Sequence, residues 1–283
     1  MKKIVHPTDF SKNASTALSF AIGLCETFNA ELILVSIGDL PSVRPSSSSL
    51  FSFSEIERKQ GLSLNDKLKS YAKPHLTDTD LQVSYRVALN STYAKGILEV
   101  VQDTKADLIV AGTKGQSELK QILMGSTTKE LVSTAPCPVL AIPEKAVFDG
   151  FNSIVYASDD VPKDIFIINK VAPFAQAFGA RISALHVFKK EPKMDAEKSD
   201  YIQEICEGVT YSNFKCDTRV SPDVSQTLVD YVIENKADLL VLYEKEAKGI
   251  RKLFRKGRVK EFIDYVATVP LMSYNTHALQ KKR

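Results

Sequence analysis

Gly112, Thr113, Lys114 and Gly115, followed after nine residues by Gly125, Ser126 and Thr127, form the stretch of this 283-residue chain best suited to hold an anion. Glycines reach positive φ and leave the backbone bare, so main-chain amides there can approach phosphate oxygens. If Gly125 opens a helix, its unpaired N–H groups and dipole favour negative charge, and the Ser126 and Thr127 hydroxyls add donors. The same glycines could serve plain turns, and spacing alone leaves both readings open. Lys114 could neutralise a phosphate or stand solvated in the loop. Pro7, Thr8 and Asp9 close a short apolar segment near the amino terminus. Asp9 is ill suited to meet phosphate but can accept hydrogen bonds from a ribose hydroxyl or an adenine amine. It could also cap a helix beginning near Ser11, and a carboxylate has about four lone-pair sites for the two roles.

The elements that would position these residues follow from periodicity. Residues 2–7 read as a strand, and Ala14, Leu18, Ala21, Ile22 and Cys25 then recur at helical spacing behind Ser11. Residues 30–37 are almost continuously apolar, as expected of a strand covered on both faces of a parallel sheet. A helix over 54–73, a strand over 81–87, a helix over 93–101, a strand over 106–111, a helix over 126–133 and a strand over 138–142 complete a βαβαβαβαβ order. That order predicts an α/β fold, an open parallel sheet with right-handed crossovers and helices on both faces. In such sheets ligands bind beyond the carboxyl ends of the strands, which is where both candidate groups fall.

The second half repeats the first. Residues 154–159 match 4–9, and 180–187 match 30–37, both at a separation of 150, while 236–241 match 105–110 at 131. Three collinear matches point to internal duplication, with a boundary near 145–152 and domains over 1–146 and 152–276. The shrinking separation reflects a segment present only in the first copy, residues 38–53, which with the overlapping serine-rich stretch at 46–54 reads as a surface excursion, a lid or a modification segment.

Composition narrows the classes. Hydrophobic residues at 44% and charged residues at 25% suit a globular chain rather than a disordered one. Lys and Arg total 37 against 34 Asp and Glu, too even a balance for the whole molecule to trap nucleic acid. No apolar run approaches the roughly 20 residues of a membrane helix, and no secretory leader is visible, so a cytoplasmic location without membrane contact is expected. Cys25, Cys137, Cys206 and Cys216 lack metal or redox spacing and are expected as reduced, mostly buried thiols. His6, His75, His186 and His277 are scattered, with no metal motif, and His186 reads as a satisfied core histidine. No nucleophile motif, no acid–base pair and no phosphate-binding P-loop is present, so no catalytic residue is assigned and any hydrolysis should be slow.

Val5-His-Pro-Thr-Asp-Phe-Ser11, the Gly112-x-x-Gly115-x9-Gly125-Ser126 loop and the closing Cys137-Pro-Val-Leu-Ala-Ile142 together resemble the universal stress protein A family. The resemblance covers residues 1–143, and the loop has the pattern of the ATP-binding variant without a substitution. The whole chain is similar to the tandem members. The resemblance implies two Rossmann-like sheets of strand order 3-2-1-4-5, ATP, ADP or AMP in the strand-end crevice with Mg2+ as the ion that would bridge the phosphates, and pairing of two domains through their last strands. It leaves homodimer formation open. Carried over, it sets Asp9 against adenine or ribose, Thr8 and Ile37 along the base, Ala111 and Gly112 beside the ribose, and Gly115, Gly125, Ser126 and Thr127 on the phosphates.

The second copy keeps Asp159 but places Tyr243 and Glu246 near the positions of Gly112 and Gly115, and Gly257, Arg258 and Val259 near those of Gly125, Ser126 and Thr127. A tyrosine side chain occupies space a phosphate needs, and Glu244 and Glu246 repel it. Nucleotide is therefore expected in the first domain only. Arg251, Lys252, Arg255, Lys256, Arg258 and Lys260 read as a solvated basic helix or a different anion site. The functional readings are a regulatory adenine-nucleotide-binding stress protein, a ligand-free tandem scaffold, or a weak nucleotide hydrolase.

Overall fold

A computed structural model of the chain describes residues 1–39, 53–77, 79–113, 124–159, 161–192, 195–244 and 268–280. The chain forms two compact units, Met1–Glu144 with His277–Arg283, and Lys145–Thr276. In the first unit the order is β1 (Lys3–Pro7), α1 (Lys12–Phe28), β2 (Glu31–Asp39), α2 (Phe53–Ala72) with a 3-10 turn at Lys73–His75, β3 (Val83–Asn90), α3 (Tyr93–Thr104), β4 (Leu108–Gly112), α4 (Ser126–Thr134) and β5 (Val139–Ile142). The second unit contains β6 (Ser153–Ser158), α5 (Val161–Phe178), β7 (Arg181–Phe188), α6 (Asp195–Gly208), β8 (Phe214–Val220), α7 (Val224–Glu234), β9 (Leu239–Glu244) and β10 (Leu271–Asn275), and a short α8 (Thr276–Gln280) follows.

The first sheet is parallel in the order β3-β2-β1-β4-β5, and the second runs β8-β7-β6-β9-β10. Registers repeat between the copies: Ile4 pairs with Leu32 and Leu108, and Ile154 with Ile182 and Leu239. Local devices repeat too. Asn29 and Gly179, which lead into β2 and β7, are left-handed, as are Lys105 and Lys236 before β4 and β9. Asp107 accepts hydrogen bonds from the amides of Lys2 (2.7 Å) and Lys3 (3.2 Å), and Asp238 from those of Asn152 (2.7 Å) and Ser153 (3.1 Å), so a carboxylate clips the start of each central strand to its neighbour.

The continuous apolar run of β2 is explained by its cover. Leu32, Ile33, Leu34 and Val35 are buried on both faces, each apolar side chain contributing roughly 2 kcal/mol. One face lies under α1 and α2, where Gly112 meets Asn13 and Gly38 meets Leu64. The other lies under α3, where Gly96 meets Ile37, with α4 beside it. Cys25 and Cys137 are buried, but Cys216 is half-buried and Cys206 exposed, which corrects the expectation of mostly buried thiols. Ile205 takes the inward position on α6, and the next residue is rotated about 100° away.

Candidate functional site

The carboxyl ends of β1 and β4 lie side by side. Val5 pairs with Ile109, and extending that register sets Pro7 level with Ala111 and Asp9 level with Thr113. The turn after β1 is tightly made. Thr8 donates its amide to the Val35 carbonyl (2.8 Å), the Thr8 hydroxyl accepts from Phe10 N (3.0 Å), and Asp9 Oδ1 accepts from Ser11 N (3.0 Å). Ser11 then caps α1 by accepting from Ala14 N at 3.2 Å. The capping role weighed for Asp9 thus belongs to Ser11, and Asp9 braces the turn by accepting from Ser11 N.

Phe10 pays for this turn with φ 65, a left-handed conformation that strains a bulky residue. Its ring is held away from the crevice, edge-on to Tyr71 (centroids 5.5 Å apart) and under the Lys67 ammonium (4.2 Å) of α2. Sequence reasoning did not single out Phe10; a bulky residue inside a Thr-Asp-x-Ser turn was the available signal.

The loop after β4 is closed at its base. Thr113 N donates to the Ile142 carbonyl (2.9 Å), Gly125 N to the Thr113 carbonyl (2.6 Å), and the Thr128 hydroxyl to the Gly112 carbonyl (2.8 Å). Thr113 was named only as part of the glycine loop and Thr128 not at all, and only its place beside the glycines could have suggested the latter. Gly125 is the N-cap of α4 and supplies no side-chain hydrogen bond, in contrast to Ser11 at α1, Thr92 at α3 and Asp223 at α7. Ser126 and Thr127 occupy the first turn of α4, so its positive dipole end opens toward the β4 terminus. Lys114 and Gly115 lie outside the described residues.

Two expected residues are placed by packing. A Cβ on Gly112 would come within 2.9 Å of Asn13 Nδ2 and 3.1 Å of the Asn13 carbonyl, so this glycine is required for α1 to approach β4. Gly112→Val is thereby no clean probe of a ligand. Ile37, 7% exposed, packs beneath Gly96 of α3, and Ala111 is buried near the end of β4, with β1 between the two strands.

Beneath this turn His6 is fully buried, and its Nδ1 lies 2.9 Å from the Val110 carbonyl. Burial pushes its pKa down to about 4, against the opposing pull of that carbonyl, so the ring is neutral. Tyr71 is raised above its ordinary value by burial. Among the described residues no group of three His, Cys, Asp or Glu side chains could hold a metal.

The second copy differs at the matching points. Tyr243 stands where the first has Gly112, its ring 5.9 Å from the ammonium of Lys163, the counterpart of Asn13. Its hydroxyl is 3.3 Å from Thr276 Oγ1, and Glu244 is buried at the end of β9. Glu246, Gly257, Arg258, Val259 and the basic residues from Arg251 to Lys260 lie outside the described residues, as does the serine-rich 46–52 stretch.

Known proteins bear on this geometry in two ways. Residues 1–143 match the model of the universal stress protein family. A universal stress protein of Methanocaldococcus jannaschii is 34% identical over 143 residues, 50% of this chain and 81% of that protein, and a second from the same organism is 27% identical over 157 residues, 51% of this chain and 96% of that one. A solved universal stress protein from Archaeoglobus fulgidus covers 96% of both chains at a TM-score of 0.65 with 14% identity, a likeness of fold that extends through the second unit. No helix among the described residues is long and apolar enough to cross a membrane. With a family match spanning the strand-end turn, the closed loop and β5 together, the chain belongs to the universal stress protein family.

Proposed function

We propose that the first unit binds an adenine nucleotide, ATP or its di- or monophosphate, at the carboxyl ends of β1 and β4, and that the protein acts by regulation rather than catalysis. The observation that carries this reading is the start of α4. A glycine N-cap leaves the first amides of the helix without a side-chain partner, and the clamps from Gly125 to Thr113 and from Thr128 to Gly112 hold that end beside the Thr8–Asp9 turn. Phosphates would lie against Gly125, Ser126, Thr127 and the Lys114–Gly115 segment, and Asp9 would accept from ribose or adenine. Mg2+ would take its oxygens from the phosphates and from water, since the described residues offer no carboxylate cluster for it. Occupancy is confined to the first unit on this reading because the second lacks the glycine pattern, with Tyr243 and Glu246 at or near the positions of Gly112 and Gly115. Pairing of the domains through their last strands, a homodimer and a role in stress response belong to the same proposal.

Gly125 gives the decisive test. Its φ of −66 and ψ of 164 suit any residue, so Gly125→Val adds bulk without backbone strain. Isothermal titration of the full chain with ATP should show binding at one site, lost in Gly125→Val and kept in Asp159→Ala. Unaltered affinity in Gly125→Val refutes the site, and no heat with wild type favours the ligand-free scaffold.

A further inference from the structure

The two copies fill the layer beneath their first-strand ends with different chemistry. In the second unit Asp164, in the first turn of α5 and 1% exposed, accepts hydrogen bonds from Tyr156 Oη (2.7 Å), Ser158 Oγ (2.5 Å) and Asp159 N (2.8 Å). The Ser158 hydroxyl also bonds to that of Tyr201 from α6, and His186 stacks on the Tyr201 ring at 4.3 Å. A buried carboxylate is tolerable only when its lone pairs are met, and here they are.

The constant separation of 150 carries Tyr156 onto His6, Ser158 onto Thr8 and Asp164 onto Ala14. Tyr71, near the end of α2, stands toward Thr8 as Tyr201 of α6 stands toward Ser158. The first copy therefore keeps the polar groups and lacks the central acceptor. His6 Nδ1 faces the Val110 carbonyl and so carries the proton, which leaves Nε2 as a buried lone pair with no donor among the described residues. The Tyr71 hydroxyl lies beside those of Thr8 and Ser15 without hydrogen-bonding geometry to either, and it too is buried.

We propose that the first unit holds one internal water molecule between β1, α1 and α2, donating to His6 Nε2 and bonded to the Tyr71 hydroxyl, where the second unit places the Asp164 carboxylate. Chemistry selects the occupant. An anion would face the Nε2 lone pair, a cation would need the carboxylate that Ala14 does not supply, and an apolar group would leave both polar atoms unmet. Water is at once a donor and an acceptor, and buried waters characteristically bridge such orphaned pairs. The low pKa of His6 keeps the lone pair available.

Two measurements on the full chain test this. A crystal structure at about 1.5 Å resolution, where ordered waters are plain, should show a water within hydrogen-bond distance of both His6 Nε2 and Tyr71 Oη; a map without one overturns the proposal. The second transplants the carboxylate. Ala14→Asp alone should lower the melting temperature by burying a charge without its phenol donor, and His6→Tyr alone should lower it by burying a phenol without its acceptor. Together they should recover most of both losses and expel the water. A double variant that melts as low as the two losses summed overturns the equivalence on which the proposal rests.

Discussion

Replacing His6 by phenylalanine should remove an acid sensitivity that the wild-type chain carries in its first unit. In the folded chain burial holds the imidazole neutral with a pKa of about 4, whereas the unfolded chain takes up the proton near the ordinary 6.5. The unfolded state thus binds more protons between these values. The contribution is complete above pH 6.5 and is lost as the pH falls through that window to 4, below which it is flat. The gap corresponds to about 3 kcal/mol in full, and to about 2.5 kcal/mol between pH 7.5 and 4.5. Phenylalanine also forfeits the bond to Val110, so the absolute stability of the variant decides nothing; the difference in pH slope does. Urea unfolding read through exchange protection of the β1 and β4 amides isolates the first unit, and the wild-type minus variant stability should shrink by about 2.5 kcal/mol across that range. Carboxylates elsewhere titrate in both chains and cancel. A His6 ring proton titrating near pH 6.5 in the folded chain, or parallel losses in the two chains, would refute the reasoning.

Other consequences are more direct. Asp164→Ala strips Tyr156, Ser158 and the Asp159 amide of their acceptor and should cost about 3 kcal/mol, read as a lowered urea midpoint of the second unit with ATP affinity intact. Asp107→Ala removes the clip on Lys2 and Lys3 and should cost about 1 to 2 kcal/mol, with Asp238→Ala matching it in the other unit; calorimetry on each checks the symmetry. Gly38→Val would drive a side chain into Leu64 and Leu89, at 2.6 and 2.7 Å from its first carbon, and should raise exchange rates along α2 before it affects α3. Gly112→Val should lower the melting temperature even without nucleotide, because it collides with Asn13.

Much of the fold was legible because its signals are local. The continuous apolar run of β2 announced a doubly covered strand, Ser11 announced the start of α1, and Gly125 that of α4. The duplication was legible because the same strand sequences recur, and the identical registers of Ile4 and Ile154 show what those matches encode. What stayed hidden depends on contacts between distant residues. The need for Gly112 lies in Asn13, and nothing in the spacing of the glycines indicates it. The Asp164 network gathers residues from β6, α5 and α6, and in sequence Asp164 is only one more acidic residue at a helix start. Cys206 was misjudged because its exposure depends on the phase of α6.

The matched registers and twin carboxylate clips carry a hazard as the chain leaves the ribosome. β1 is made first, yet its partner β4 arrives some hundred residues later, and an equally shaped slot beside β9 arrives later still. Most of the backbone pairing and the clip would accept either strand in either slot, although β1 ends in Pro7, without the N–H that Ala157 offers in β6. The side chains below the strand ends discriminate further: a swapped β1 would set His6 against Asp164, and a swapped β6 would set Tyr156 over Ala14, without the carboxylate its phenol meets in the native unit. Divergence of that buried layer should disfavour an exchange of the two central strands between halves that share their backbone plan.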